Sequence, residues 1–182
     1  MPRKPKTPLT TIRTGNGDKG ETFFAGRTGP KSDPYIELIG YLDHLNSHMG
    51  ECGMSTRDVQ KTLFNCGALL HTTDQDTAKR ATNQINDCRD DLIESVKNRY
   101  LALSGFVYPA GIPEERARTW CRLTEHKVWK LRHYSAGWVE FGDMDDKLET
   151  IGIFLNVLSD WLFVEGFEAL QRSGHDEVWT GV

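Results

Sequence analysis

The chain has 182 residues, 22 Lys plus Arg against 26 Asp plus Glu, a formal net charge of −4, and 38% hydrophobic residues. That length and composition suit one globular domain with a single filled core. The net acidity argues against a general nucleic-acid binder, although local basic clusters can still hold phosphates.

The N-terminal run Met1–Pro8 carries Arg3, Lys4 and Lys6 with no apolar stretch behind them, so it reads as a flexible leader over residues 1–10 and not as a secretory signal. A single domain is expected over 11–172 and a tail over 173–182. Thr11–Lys31, rich in Gly, Thr and charge, is predicted to be a loop. Pro34 then suits the first turn of a helix, with Ile36, Ile39, Leu42, Leu45 and Met49 on its inner face. Val59, Leu63, Phe64, Ala68 and Leu70 mark a second helix. A third, more polar one is predicted over about 77–100, with Ile85, Leu92, Ile93 and Val96 facing the core. Ser104–Gly111 is a second loop. Pro113 opens a fourth helix over 113–134 through Ala117, Trp120, Cys121, Leu123, Val128 and Leu131. The clearest period belongs to the fifth, where Ile151, Leu155, Leu158 and Leu162 recur with Phe154 and Phe163 beside them.

Prolines stand only at 2, 5, 8, 30, 34, 109 and 113, as long helix interiors require. No apolar run approaches the ~20 residues of a membrane span. No segment shows the alternation of a strand, so the expected class is all-α, a five-helix bundle with an ordered N-terminal loop. Cys52, Cys66, Cys88 and Cys121 show no C-x-x-C spacing and read as reduced, buried thiols of a cytoplasmic protein. The tryptophans (Trp120, Trp129, Trp138, Trp161, Trp179) read as core and subunit-contact residues.

Three patterns carry chemistry. Thr14–Thr22 places glycines beside Lys19, a combination that lets backbone N–H groups and a cation turn toward phosphates, though it is no Walker A loop. Arg118, Arg122 and Glu125 share one face of the fourth helix. Asn156 and Asp160 interrupt the most apolar helix, where polar groups need partners that the arginines could supply.

These pieces occur in one order: the Gly/Thr loop, Lys31-Ser-Asp-Pro-Tyr-Ile-Glu37, Gly40–Ser47, Phe106-Val-Tyr-Pro-Ala-Gly111, Ala117–Glu125 and Phe154–Phe163. In that order, over about residues 11–168, they resemble the PduO-type ATP:cob(I)alamin adenosyltransferases. The resemblance implies a homotrimer with ATP and corrinoid bound between subunits. Thr14, Gly17, Asp18, Lys19, Gly20 and Thr22 would wrap the nucleotide. Lys31, Arg122, Glu125 and Asn156 would join them, handling the triphosphate and its Mg²⁺, with no protein ligand to the metal assigned. Asp43 would pair with Arg118 across the interface. Phe106, with Asp160 and Phe163, would stand on the cobalamin side, and Arg122, Asn156 and Phe106 would carry the catalysis. Cob(I)alamin would attack the 5′ carbon of ATP with triphosphate leaving, so the protein needs orientation and charge stabilisation and no general base. A reductase and an adenosylcobalamin-dependent enzyme are the implied partners, without nucleic acid or membrane.

Some positions depart from the family pattern. Val157 stands where the family has Arg, His44 where it has Glu, Gly15 where Lys or Arg is usual, and Ala110 where it has Gly. A charge-assisted contact to phosphate is worth roughly 1.5–3 kcal/mol, so Val157 matters most. It opens a second reading: a relative that binds ATP or corrinoid as a sensor or carrier without turnover. Arg13, Lys127 and Arg132 are the cations that could compensate for the losses. His44 also begins an i, i+4, i+8 stripe with His48 and Cys52, which are metal-ligand types but read first as packing or surface residues.

Overall fold

A computed structural model describes residues 17–53, 56–99, 101, 103, 105–135, 143–175 and 177–180. In chain order the elements are β1 (Glu21–Phe24), β2 (Arg27–Pro30), α1 (Pro34–Glu51), α2 (Arg57–His71), α3 (Gln75–Val96), β3 (Phe106–Val107), α4 (Pro113–Ser135), α5 (Met144–Ser173) and β4 (Val178–Trp179).

Local signals explain most of these limits. Asp33 Oδ1 accepts the Tyr35 amide at 2.9 Å ahead of Pro34, starting α1, while its Oδ2 takes Arg27 at 3.1 Å and ties the first hairpin to the helix cap. Asp74 caps α3 through the Thr77 amide at 2.8 Å. At the same end of the bundle the buried Lys147 donates to the Thr72 carbonyl at 3.0 Å and pairs with Asp143 at 3.1 Å, fastening the start of α5 to the end of α2.

The core runs along α5. Phe154, Leu155, Leu158, Leu162, Ile151 and Leu148 are fully buried. Although α5 is long and apolar enough to cross a membrane by length and composition, it is the central helix of the bundle, packed against α4 on one side and α3 on the other.

The five predicted helices are present, and the differences are local. α3 ends at Val96 and not near residue 100. Phe64 is 65% exposed, and Ala68, Ile93 and Leu123 are also exposed, because each lies about 100° round its helix from the core-facing neighbour beside it. Two short antiparallel ribbons, β1–β2 and β3–β4, replace the expectation of no strand. Arms of two to four residues are too short to display alternation. Cys66 and Cys121 are buried, Cys52 and Cys88 only half-buried, and all four are free. Burial, with Glu114 and Glu51 nearby, pushes the Cys52 thiol up to about 12. Trp120, Trp129 and Trp161 are half-buried and Trp179 is exposed, so none is a fully enclosed core residue; Trp138 lies outside the described residues.

Gly152 shows how tight the α4–α5 seam is. A Cβ there would come 2.7 Å from Trp129 Cζ2 and 2.8 Å from Cε2. Ala is the better helix former by about 1 kcal/mol, yet overpacking costs about 1–3 kcal/mol, so the steric term wins. Gly152→Ala is expected to lower the guanidinium midpoint without changing the slope, and Trp129→Leu in the same chain is expected to restore most of the loss.

Candidate functional site on the α4–α5 face

Arg118 lies half-buried between α4 and α5, its guanidinium 5.0 Å above the Phe163 ring. Its Nε is buried and has no hydrogen-bond partner among the described residues. Burial first, and then the like charge of Arg122, hold the Arg118 pKa below the usual guanidinium value; Asp160 pulls the other way. Arg122 is exposed one turn along. Glu125 Oε1 accepts from Trp129 Nε1 at 3.1 Å, which orients the carboxylate. Asn156 and Asp160, which interrupt the apolar helix, are exposed on the outward stripe of α5 with Ile153. Asp160 is near enough to act on Arg118, as the helix spacing suggested.

The departures can now be placed. Val157 is half-buried and packs on the edge of the core. Lys127 is held by Glu37 at 2.6 Å and lies over Tyr41, while Arg132 pairs with Asp145 and Glu149, each at 3.1 Å. Both cations are therefore engaged away from Arg118 and Arg122, and neither replaces the missing arginine. Arg13, Thr14 and Gly15 lie outside the described residues. The His44 ring sits 3.9 Å from the Trp120 ring and His48 stacks on the same indole at 6.0 Å, so this stripe packs α1 on α4. Cys52 Sγ donates to the His48 carbonyl, and among the described residues no group of three His, Cys, Asp or Glu side chains gathers for a metal.

A second part of the site is the loop before α4. Phe106 is 76% exposed and its ring lies 6.2 Å from that of Trp179. The contact arises because the chain end folds back: β4 pairs with β3, and the Tyr108 amide donates to the Glu177 carbonyl at 3.1 Å. Below the loop a cavity of about 120 Å³ is lined by Val107, Glu115, Arg118, Phe163, Phe167 and Leu170, among others. Phe163 and Arg118 thus meet at one cleft under the Phe106 loop. The contact of Trp179 with Phe106 was not visible in the sequence, since a two-residue strand leaves no local signal.

The third part is the N-terminal loop. The Gly20 amide closes a turn on the Gly17 carbonyl at 3.2 Å, the Lys31 amide donates to the Gly20 carbonyl at 2.8 Å, and the Lys31 side chain lies against Gly17. Asp18 and Lys19 are exposed beside it, and Thr22 pairs with Gly29 in the hairpin. The hairpin rests on α1 and α2 through Phe24, whose ring meets Tyr35 at 5.9 Å and His71 at 5.6 Å. The glycine–lysine loop and the arginines therefore stand on different helices. Asp43 is exposed on α1, and its carbonyl accepts from Ser47 Oγ at 3.0 Å.

Residues 12–168 match the profile of the cobalamin adenosyltransferase family. This chain belongs to that family. It is similar to the human (Homo sapiens) corrinoid adenosyltransferase MMAB, 29% identical over 94% of this chain and 74% of the relative. The corrinoid adenosyltransferase of Bacillus subtilis is 25% identical over 92% of this chain and 90% of the relative. Among solved structures, a variant PduO-type adenosyltransferase from Lactobacillus reuteri complexed with ATP superimposes with a TM-score of 0.71 at 26% identity, covering 92% of this chain and 99% of that one. A second variant from the same organism, complexed with cobalamin and ATP, gives 0.67 at 25% identity over 94% and 100%. The adenosyltransferase bundle is thus shared along nearly its whole length.

The latch of the chain end has a direct test. A Cβ on Gly105 would fall 2.1 Å from the Trp179 carbonyl oxygen, a backbone clash that only displacement of β4 relieves. Gly105→Ala is expected to free the C-terminal strand and to speed its removal by carboxypeptidase, while the thermal midpoint of the bundle moves little.

Proposed function

We propose that this chain transfers the 5′-deoxyadenosyl group of ATP to cob(I)alamin, releasing triphosphate, at a site completed by a second copy of the chain within a homotrimer. The observation that carries this is the pair Arg118 and Arg122: two like-charged groups on one face, one of them half-buried with an orphaned donor. A half-buried guanidinium with an unpaired donor beside a second cation favours the arrival of an anion or an acceptor. Family membership names the anion as the triphosphate of ATP. In this reading the acceptor for Arg118 is Asp43 of a neighbouring copy, a residue that is exposed here.

In this assignment Gly17, Asp18, Lys19, Gly20, Thr22 and Lys31, preceded by Thr14, enclose the nucleotide. Arg122 and Asn156 receive the triphosphate, with Glu125 behind them. Phe106 walls the corrinoid, with Phe163 and Asp160 on the same side. Mg²⁺ enters on the phosphates. Such an ion is held largely by phosphates and water and needs few protein oxygens, and Asn156 on the triphosphate side offers an exposed one. When bound, the ion offsets charge on the leaving phosphates. The chain's residues orient the 5′ carbon toward the cobalt; the Co(I) electron pair forms the new bond as the C–O pair leaves with triphosphate. Apolar side chains around the corrinoid keep water from the nucleophile. The reaction consumes the Co(I) corrinoid, made from the Co(II) form by one-electron reduction, so a reductase supplies it, and an adenosylcobalamin-dependent enzyme takes the product. The four free thiols fit a reducing, cytoplasmic setting.

The test is anaerobic. With ATP, Mg²⁺ and chemically reduced cobalamin, the chain is expected to produce light-sensitive adenosylcobalamin by its visible spectrum. Arg122→Ala is expected to lower kcat by about one to two orders of magnitude. Since Val157 leaves the triphosphate one cation short, Val157→Arg is expected to raise kcat about tenfold. ATP binding by calorimetry with no product from either the parent chain or Val157→Arg would instead identify a carrier or sensor.

A further inference from the structure

Phe106 is held in place by its backbone more than by packing, being 76% exposed. That backbone is fastened at both ends. On its N-terminal side lie the β3–β4 pairing and the Tyr108 amide on the Glu177 carbonyl. On its C-terminal side, the amides of Ala110, Gly111 and Ile112 all donate to Oε2 of Glu115, at 2.9, 2.7 and 3.3 Å. Successive N–H groups converging on one point form an anion nest, and this chain fills it with its own carboxylate. An ordinary capping glutamate reaches back to a single amide at the start of its helix. Here the grip extends two residues beyond the helix, into the loop that carries Phe106.

Arg116 closes the same turn from outside. Its guanidinium donates to the Gly111 carbonyl and to Glu51 Oε2, the latter at 2.9 Å, so the loop is also tied to the end of α1. Glu115 further lines the cavity that Arg118 and Phe163 share. One carboxylate thus joins the loop of the corrinoid wall to the helix of the triphosphate arginines.

We propose that Glu115 is a positioning residue for adenosyl transfer. Resting on the function proposed above, it sets the spacing between Phe106 and the Arg118–Arg122 face without touching either reactant. In-line displacement is sensitive to such spacing, since a shift of about 1 Å can cost about a hundredfold in rate. The carboxylate acts on the corrinoid half of the site, because the three amides it holds belong to that loop and the N-terminal nucleotide loop stands on other elements.

The experiment uses the full chain and two variants, Glu115→Ala and Glu115→Gln. Amide hydrogen exchange at Ala110, Gly111 and Ile112 reports the clamp, and steady-state kinetics with reduced cobalamin and ATP report its consequence. For Glu115→Ala, exchange at the three amides is expected to accelerate. The KM for cobalamin is expected to rise about tenfold with a fall in kcat, while the KM for ATP stays within about twofold. Glu115→Gln, whose amide oxygen still accepts but without charge, is expected to fall between parent and Glu115→Ala. Faster exchange with unchanged cobalamin KM and kcat would reduce Glu115 to a helix cap and overturn the proposal. So would equal rises in both KM values, which mark a general loosening of α4. If Glu115→Ala does not fold, the same comparison on Glu115→Gln decides. A parent chain that forms no product overturns the function and this inference together; failure of the inference alone requires an active parent and a matching variant.

Discussion

The arginine face of the site follows from the seam between α4 and α5. Ala117, Cys121, Thr124 and Val128 face Ile151, Leu155, Leu158 and Leu162, all at or near zero exposure, and Cys121 Sγ donates to the Leu155 carbonyl at 3.1 Å. A helix has one azimuth. Once those residues are committed inward, Arg118, Arg122 and Glu125 must line a different face of α4, and Ile153, Asn156 and Asp160 must point away from the core on α5. The inward stripe alone gives several buried groups, each worth about 1.5–3 kcal/mol. A polar contact on the outward face contributes less than that, so the chemistry is placed by the packing and not the reverse.

The exposed face is then unusual in what it leaves unsatisfied. An exposed phenylalanine forgoes most of the roughly 1.5–3 kcal/mol that burial would return. Phe106 forgoes it while its strand pairs with β4 and the loop after it is held by the Tyr108 amide on the Glu177 carbonyl and the Gly111 amide on Glu115. Arg118 likewise keeps a buried donor without an acceptor. Both are defects in an isolated chain. Both fit the proposal that an apolar ligand, an anion and a second copy of the chain complete this face.

How much of this was visible in the sequence follows from range. The helices were legible because proline spacing and the recurrence of Ile151, Leu155, Leu158 and Leu162 are local signals. Arg118, Arg122 and Glu125 were legible as one face, and Asn156 and Asp160 as another, for the same reason, since i,i+3 and i,i+4 spacing survives into the fold. Phe64 and Leu123 were misjudged because hydrophobicity alone does not say which of two adjacent residues faces inward. The pairing of Val107 with Val178, the stacking of Phe106 near Trp179 and the reach of Glu115 into its own preceding loop were invisible. Two of these join segments far apart in sequence, and the third depends on backbone direction that composition does not encode.

Val157 is where the sequence and the structure bear on each other most directly. An arginine at this half-buried position would have to extend along the core edge to bring its charge to the surface; valine fills the edge with methyl groups instead. With that cation absent, Asp160 has no partner on its own helix, and its charge is left to act on Arg118, where it offsets the cost of burial and of the neighbouring Arg122. The substitution therefore moves charge stabilisation from the ligand to the resting protein: Arg118 is quieter, and the face has one fewer donor for a phosphate. A site so altered binds its anion less firmly and loses the difference mainly in the transition state, where charge on the departing triphosphate is greatest. The cost of Val157 should accordingly fall on kcat more than on the affinity for ATP.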